Sequence, residues 1–252
     1  MSHVPPSTGQ AVPTDPAAPV DRHPGLAELV SVMDRLRSPG GCPWDAEQTH
    51  ESLVPYAVEE VAEVVEAVET GDRAGMREEL GDLLLQVVFH ARVAQEHPED
   101  PFGIDDVAQA IAEKLRRRHP HVFGDVTVSG AQEVHRNWEA LKQEEKRRAS
   151  VVDGIPPVLP ALARAQKVLG RARRAGLPVP LPEEVAPGAA AEHGVAPGRG
   201  TTPERGVDAL RSDLGARLLA LAVEAEAAGV DAEQALRGAV RDLEERIRRH
   251  EA

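Results

Sequence analysis

At 252 residues with 41% hydrophobic side chains, the chain can bury a sizeable core, and at roughly 150 residues per domain it holds one to two domains. Aromatic residues make up only 2%, which points to packed aliphatic helices rather than sheets. A net charge of −13 speaks against a nucleic-acid polymer as partner, one cysteine (Cys42) allows no intrachain disulfide, and no apolar run reaches the roughly 20 residues of a membrane span. The expected setting is cytoplasmic, away from any membrane, and Met1 to Pro24 has neither the basic nor the apolar region of a signal peptide.

In chain order, residues 1–24 are rich in Pro, Ala, Thr and Ser and read as a disordered tail. Leu26, Leu29, Val30, Met33 and Leu36 recur at helical spacing until Ser38-Pro39-Gly40-Gly41, and Cys42-Pro-Trp-Asp45 reads as a short loop. A second helix starts between Thr49 and Pro55, the proline being expected only in a first turn. It carries a stripe of Val54, Val58, Val61, Val65 and Val68, and stops at Thr70-Gly71. A third helix covers about Asp72 to Glu96, a fourth Ile104 to Arg118, and a fifth Ala131 to Arg148 with Ser129 as its N-cap. Another helix runs from Pro156 to Ala175. Residues 178–206, dense in Pro, Gly and Ala, read as a flexible linker, and two helices at about 207–228 and 231–250 close the chain. No convincing strand pair appears, so the fold class is all-α.

The last two helices look like a worn internal repeat. Leu210-Arg-Ser-Asp-Leu-Gly-Ala-Arg-Leu-Leu matches Met76-Arg-Glu-Glu-Leu-Gly-Asp-Leu-Leu-Leu on Leu-Gly followed by apolar residues; chance similarity between two Leu-rich helices is the competing explanation.

Two acidic motifs carry chemistry. Glu59, Glu60 and Glu63 lie within one turn of a helix, but Glu59, Glu63 and Glu66 point away from the valines, so alone they read as a solvated acidic face. The third helix is apolar almost all round, which predicts burial; its interruptions are Asp82, Gln86 and His90, spaced by four, with Glu79 on the same stripe. An unpaired carboxylate buried there costs several kcal/mol, so Asp82 calls for a counter-charge, and no basic residue lies within a turn on its stripe. A metal answers that need. An all-oxygen set suits Mg²⁺ or Mn²⁺; zinc would want His or Cys, and a di-iron site two Glu-x-x-His pairs.

Glu59-Glu60-x-x-Glu63 with Glu79-x-x-Asp82 resembles the metal motif of the all-α nucleoside triphosphate pyrophosphohydrolases, specifically the MazG family. Gly41-Cys-Pro-Trp-Asp-Ala-Glu-Gln-Thr49, Glu79-Leu-Gly-Asp-Leu-Leu-Leu-Gln-Val-Val-Phe89, Lys114-Leu-Arg-Arg-Arg-His-Pro-His-Val-Phe123 and Leu159-Pro-Ala-Leu-Ala-Arg-Ala-Gln-Lys167 also look like MazG segments. The resemblance is strong over about 25–177 and faint over 207–252. It implies a helical bundle completed by homodimerisation that hydrolyses nucleoside triphosphates to the monophosphate and pyrophosphate, for cleaning or regulating nucleotide pools. It implies Glu60, Glu63, Glu79 and Asp82 as metal ligands, Glu59 or Glu60 as the residue that activates water, and Lys114, Arg118, Trp138 and Lys142 as nucleotide contacts. The expected organisation is a catalytic domain at 25–150, a connecting helix at 151–177, the linker, and a degenerate non-catalytic repeat at 207–252.

The sequence departs from a two-site family member in its second half. Asp213-Leu-Gly-Ala216 stands where the first copy has Glu79-Leu-Gly-Asp82, and no Glu-Glu-x-x-Glu helix precedes it. Two competing functions are a non-catalytic nucleotide- or protein-binding regulatory dimer, and a helical hydrolase of another phosphate ester.

Overall fold

The computed structural model describes residues 23–146, 149–178 and 207–251, with the side chains of 135–136, 139–140, 142–144, 146 and 208–209 left aside. The tail expected at 1–24 and the linker expected at 178–206 lie almost entirely outside the described residues. These contain helices and turns and no strand: α1 (Pro24–Arg37), α2 (Pro43–Glu47), α3 (His50–Thr70), α4 (Arg73–Ala94), α5 (Ile104–Arg118), α6 (Pro120–Phe123), α7 (Ala131–Lys146), α8 (Ala161–Arg174), α9 (Val207–Ala228) and α10 (Ala232–Glu251). The all-α class is thus observed. The chain divides into two compact units, residues 1–138 and 139–252.

The first unit is organised by the α3–α4 hairpin. Thr49 Oγ1 accepts the Ser52 N–H at 3.2 Å while Ser52 Oγ accepts the Thr49 N–H at 2.9 Å, a reciprocal cap that fixes the start of α3. Pro55 therefore sits in the second turn, not the first as expected; its missing N–H costs one bond near an end already held by the cap. Gly71 closes α3 in the left-handed region (φ 72°), and Asp72 Oδ1 accepts the N–H groups of Ala74 and Gly75, both at 3.0 Å, to open α4. Two turn residues between long packed helices make the pair antiparallel.

The packing seam differs from the valine stripe. Along α3, Leu53 and Ala67 are buried and Ala57, Glu60 and Val64 half-buried, an alternation of four and three residues, whereas Val54, Val58, Val61 and Val68 are 50–59% exposed. On α4, Gln86, Val88, Phe89, Ala91 and Ala94 are buried, while Leu80, Leu84 and Val87 are exposed. The expectation of an all-round buried α4 therefore fails within one chain. Periodicity marks every apolar face, but a single copy covers only one of them.

The core of this unit is Met33, Leu53, Val88 and Phe89, ringed by Leu29, Val30, Leu85, Val93 and Ile104. Truncating Leu53 or Met33 to Ala would cost roughly 2–5 kcal/mol. Polar bonds tie α1 and α2 to α4. Arg37 grips Glu96 through Nε and Nη2, each at 2.9 Å, and its Nη1 donates to the carbonyls of Asp45 (2.5 Å) and Gln48 (3.0 Å). Arg92 bridges Asp34 at 2.8 Å and Glu96 at 2.9 Å. The segment expected as a loop at 42–45 is in fact α2, whose last carbonyls Arg37 satisfies. A Cβ at Gly41 would collide with the carbonyls of Arg35 and Leu36, so only glycine allows this turn.

At α7 the expected cap is displaced by one residue. The Gly130 carbonyl accepts from Val134 N–H, and the Ser129 hydroxyl instead donates to the Glu133 carboxylate at 2.6 Å. In the second unit, α8 begins at Ala161 rather than Pro156, because Pro156, Pro157 and Pro160 keep the approach out of helical geometry. Leu169, Gly170 and Ala172 of α8 and Ala222 of α9 are buried. Arg173 pairs with Glu226 at 3.0 Å, and Gln166 holds the α9–α10 turn by donating to the Val230 carbonyl (2.7 Å) and accepting from Ala232 N–H (2.9 Å). No described helix is long and apolar enough to cross a membrane.

Candidate metal centre

The α3–α4 seam is apolar except along one line of α4, the stripe Glu79, Asp82, Gln86 and His90. Antiparallel packing sets Glu60 of α3 against the first two of these. Glu60, Glu79 and Asp82 each offer a carboxylate oxygen, and the three atoms lie within 4.8 Å of one another. Among the described residues no other group of three potential metal ligands comes this close.

The electrostatics show what such a site wants. The Glu60 carboxyl is held above its ordinary pKa, first by desolvation, then by the charges of Asp82 and Glu63, a hydrogen bond with Glu63, and the charge of Glu79. Glu79 is likewise raised, by desolvation and then by Glu63, Glu78, Asp82 and Asp72. Several carboxylates thus repel one another with no ammonium or guanidinium among the causes, and a divalent cation fits the group.

Asp82 itself is not buried, so the burial penalty expected for it is replaced by mutual carboxylate repulsion as the reason for a counter-charge. Glu63 lies outside the close trio but within electrostatic reach of Glu60 and Glu79. Glu59, exposed beside Glu60, is also outside it.

The expected nucleotide contacts form a different grouping. Arg118 is buried and lays its guanidinium over the Trp138 ring, 5.4 Å from the centroid. Lys114 is half-buried one turn before Arg118 on α5. Lys142 follows Trp138 by one turn on α7, and its side chain lies outside the described ones.

Two ring pairs went unread in the sequence. Trp44 and Tyr56, 51% and 42% exposed, meet edge-to-face with centroids 6.1 Å apart. Tyr56 precedes Glu60 by one helical turn, a spacing that was the available signal. His50 and His90 meet edge to edge across the far end of the hairpin, Nδ1 to Nδ1.

A family model described as the MazG nucleotide pyrophosphohydrolase domain matches residues 48–123, the segment that holds all three cluster residues. The chain is 48% identical over 224 residues to an uncharacterized 26.1 kDa protein of Streptomyces cacaoi, covering 88% of this chain and 81% of that one. The chain belongs to the MazG family. It is also 48% identical over 161 residues to the nucleoside triphosphate pyrophosphohydrolase of Mycobacterium tuberculosis, 64% of this chain and 49% of that protein. The nucleoside triphosphate pyrophosphohydrolase/pyrophosphatase MazG of Thermotoga maritima is 47% identical over 160 residues, 63% of this chain and 60% of that one. This MazG-family chain therefore spans about half to three fifths of the named pyrophosphohydrolases it matches.

Proposed function

We propose that the first unit hydrolyses nucleoside triphosphates to the monophosphate and pyrophosphate, using a Mg²⁺ ion (or Mn²⁺ in its place) held by Glu60, Glu63, Glu79 and Asp82. The observation that carries this reading is the trio of converging carboxylates within 4.8 Å, lying inside the matched pyrophosphohydrolase domain. Bound there, the ion supplies positive charge to the phosphate oxygens.

The chain's own groups do the rest. One free carboxylate, Glu59 or Glu60, orients a water and takes its proton as it attacks the α-phosphorus. The bond from the α-phosphorus to the bridging oxygen breaks, and that oxygen leaves with pyrophosphate. Lys114 and Arg118 supply cations for the phosphates, and Trp138 a flat ring for the base. The exposed Trp44–Tyr56 pair, one turn from Glu60, offers a second stacking surface.

A homodimer completes this picture. Val54, Val58, Val61 and Val68 of α3 and Leu80, Leu84 and Val87 of α4 are exposed in one chain, a contiguous apolar surface suited to an identical copy. In this reading the catalytic unit and the dimer face belong to the first half of the chain, and 207–252 is a degenerate repeat without its own chemistry. A cytoplasmic role in clearing or regulating nucleotide pools is consistent with these features.

The test is release of pyrophosphate from a panel of triphosphates with Mg²⁺ or Mn²⁺. Release is expected; binding without turnover would favour a regulatory dimer, and orthophosphate release would place the attack at the γ-phosphorus.

A further inference from the structure

The open end of the α3–α4 hairpin, opposite the Gly71–Asp72 turn, is closed by two imidazoles. His50 Nδ1 and His90 Nδ1 are 2.8 Å apart, and the rings meet edge to edge nearly in one plane, with planes 4° apart and centroids 5.1 Å apart. A bond between two Nδ1 atoms needs one proton: one ring donates N–H and the other accepts on its bare nitrogen. One added proton makes a single imidazolium that still donates to the other ring's bare Nδ1; a second added proton charges both rings and sets two N–H groups and two positive charges face to face.

One turn before His90 on the same stripe, Gln86 is 8% exposed, and its Oε1 is buried with no hydrogen-bond partner. The antiparallel register brings Gln86 level with the fully buried Leu53, which offers it no donor. An orphan buried acceptor costs roughly 1–3 kcal/mol and asks for a donor.

We propose that His50 and His90 form a one-proton clasp, closed at neutral pH and opened when added protons charge both rings, with the freed His90 imidazolium turning to Gln86 Oε1. The fold thereby holds two arrangements of the same end. In the closed one Gln86 is unsatisfied; in the open one its acceptor is filled and the link between α3 and α4 is gone.

The surroundings leave the second proton without a counter-ion at His90. From α1, Asp34 and Arg37 are committed to Arg92 and Glu96. From α5, Asp106 accepts the Gly103 N–H, with Asp105 beside it in that first turn. From α3, Glu51 lies next to His50 and interacts with it. On α4 itself, Arg92 and Glu96 are paired with each other as well as with α1. Burial and then the His50 charge push the His90 pKa down.

A histidine whose folded pKa lies below its unfolded value supports the fold fully above the unfolded pKa and progressively less as pH falls through it. The α3 end that the clasp holds also anchors α2: Ser52 Oγ donates to Gln48 Oε1 at 2.8 Å, and the Gln48 carbonyl is gripped by Arg37. Acid therefore slackens the α2–α3 corner that carries Trp44, while the Gly71–Asp72 end stays tied.

The experiment is imidazole nitrogen NMR on the full chain without metal, titrated from about pH 8 to 5 across the ordinary histidine range, with thermal melts at both ends. At high pH the spectra should show one protonated and one bare Nδ1 in the pair. In His50→Asn, the His90 midpoint should rise, and the acid-induced fall in melting temperature should shrink. His90→Gln should shrink the acid-induced fall in melting temperature in the same way, an independent variant should the first fold poorly. Gln86→Leu should lower the His90 midpoint by removing the acceptor of the open form. An unchanged His90 midpoint in His50→Asn and Gln86→Leu, or the same acid-induced loss in wild type and both histidine variants, would overturn the clasp.

Discussion

The two long hairpins of this chain, α3–α4 and α9–α10, share an apolar style and differ in chemistry. Both leave aliphatic stripes exposed: Val54, Val58, Val61 and Val68 with Leu80, Leu84 and Val87 on the first, Leu210, Leu214, Leu218 and Leu221 with Leu236, Val240, Leu243 and Ile247 on the second. Both contain a Leu-Gly step, at Leu80-Gly81 and Leu214-Gly215. Only the first delivers acids from two helices to one seam. Asp213 and Ala216 stand in α9 where Glu79 and Asp82 stand in α4, and among the described residues nothing in the second unit gathers a comparable carboxylate group. An aliphatic stripe is enough to build a helical hairpin, because apolar burial is not directional. A metal site needs particular atoms from both helices at once, and Leu214-Gly215 is followed by Ala216 where Leu80-Gly81 is followed by Asp82.

The sharpest way to break this comparison is a matched pair of substitutions. Asp82→Asn should abolish pyrophosphate release, by about a thousandfold or more, since the amide carries no charge for the cation. Asp213→Asn should stay within about twofold of wild type. Equal losses would show that both hairpins work.

The next effect is on assembly. If the proposed dimer forms through the valine surface, a charge placed there, Val61→Asp, should leave a monomer by sedimentation, whereas Val240→Asp on α10 should not. The opposite pattern would move the dimer face to the second unit.

A third contrast concerns stability. Arg37→Ala should lower unfolding free energy by about 1–3 kcal/mol in denaturant melts, because it strands two carbonyls and releases Glu96. Arg37 depresses the Glu96 pKa, so this contribution is present above the unfolded carboxylate pKa and is lost as acid protonates Glu96. Removing Arg173 from its Glu226 pair in the second unit, where the arginine is exposed, should change stability by less than about 1 kcal/mol.

The smallest effect is the shift of the melting temperature by Mg²⁺. Glu60 and Glu79 have raised folded pKa values, so their repulsion is absent at low pH and grows as pH rises through those values. Saturating Mg²⁺ should therefore raise the melting point by a few degrees at neutral pH and by less at about pH 4.5. Glu60→Gln should remove the difference. A shift that survives in Glu60→Gln would place the cation elsewhere.

Much of this was legible in the residues. The capping residues Thr49 and Asp72, the left-handed Gly71 and the Pro-rich breaks mark helix ends by local rules, and the helices at 24–37, 50–70, 73–94 and 104–118 fall within a residue or two of their expected bounds. Where local rules compete, the reading slipped. Arg37, distant in sequence, caps the turn that makes α2 a helix, and three prolines delay α8. The acids of the cluster were also named from sequence, but not the way they meet: Glu60 sits in the α3 seam, a face that looked less apolar than the valine stripe beside it.

The sequence by itself determined which segments become helices, that the class is all-α, and that Glu60, Glu79 and Asp82 recur at spacings that keep each set on one helical face. Those are consequences of a 3.6-residue period and of caps acting within a few residues. Only the tertiary structure decided which of several apolar faces is packed, that Asp82 is half-buried beside Glu60 and Glu79 rather than enclosed, and that His50 meets His90 forty residues along the chain. Each of these depends on the register of one helix against another. That register is set by the summed packing of the whole seam, and no window of local sequence contains it.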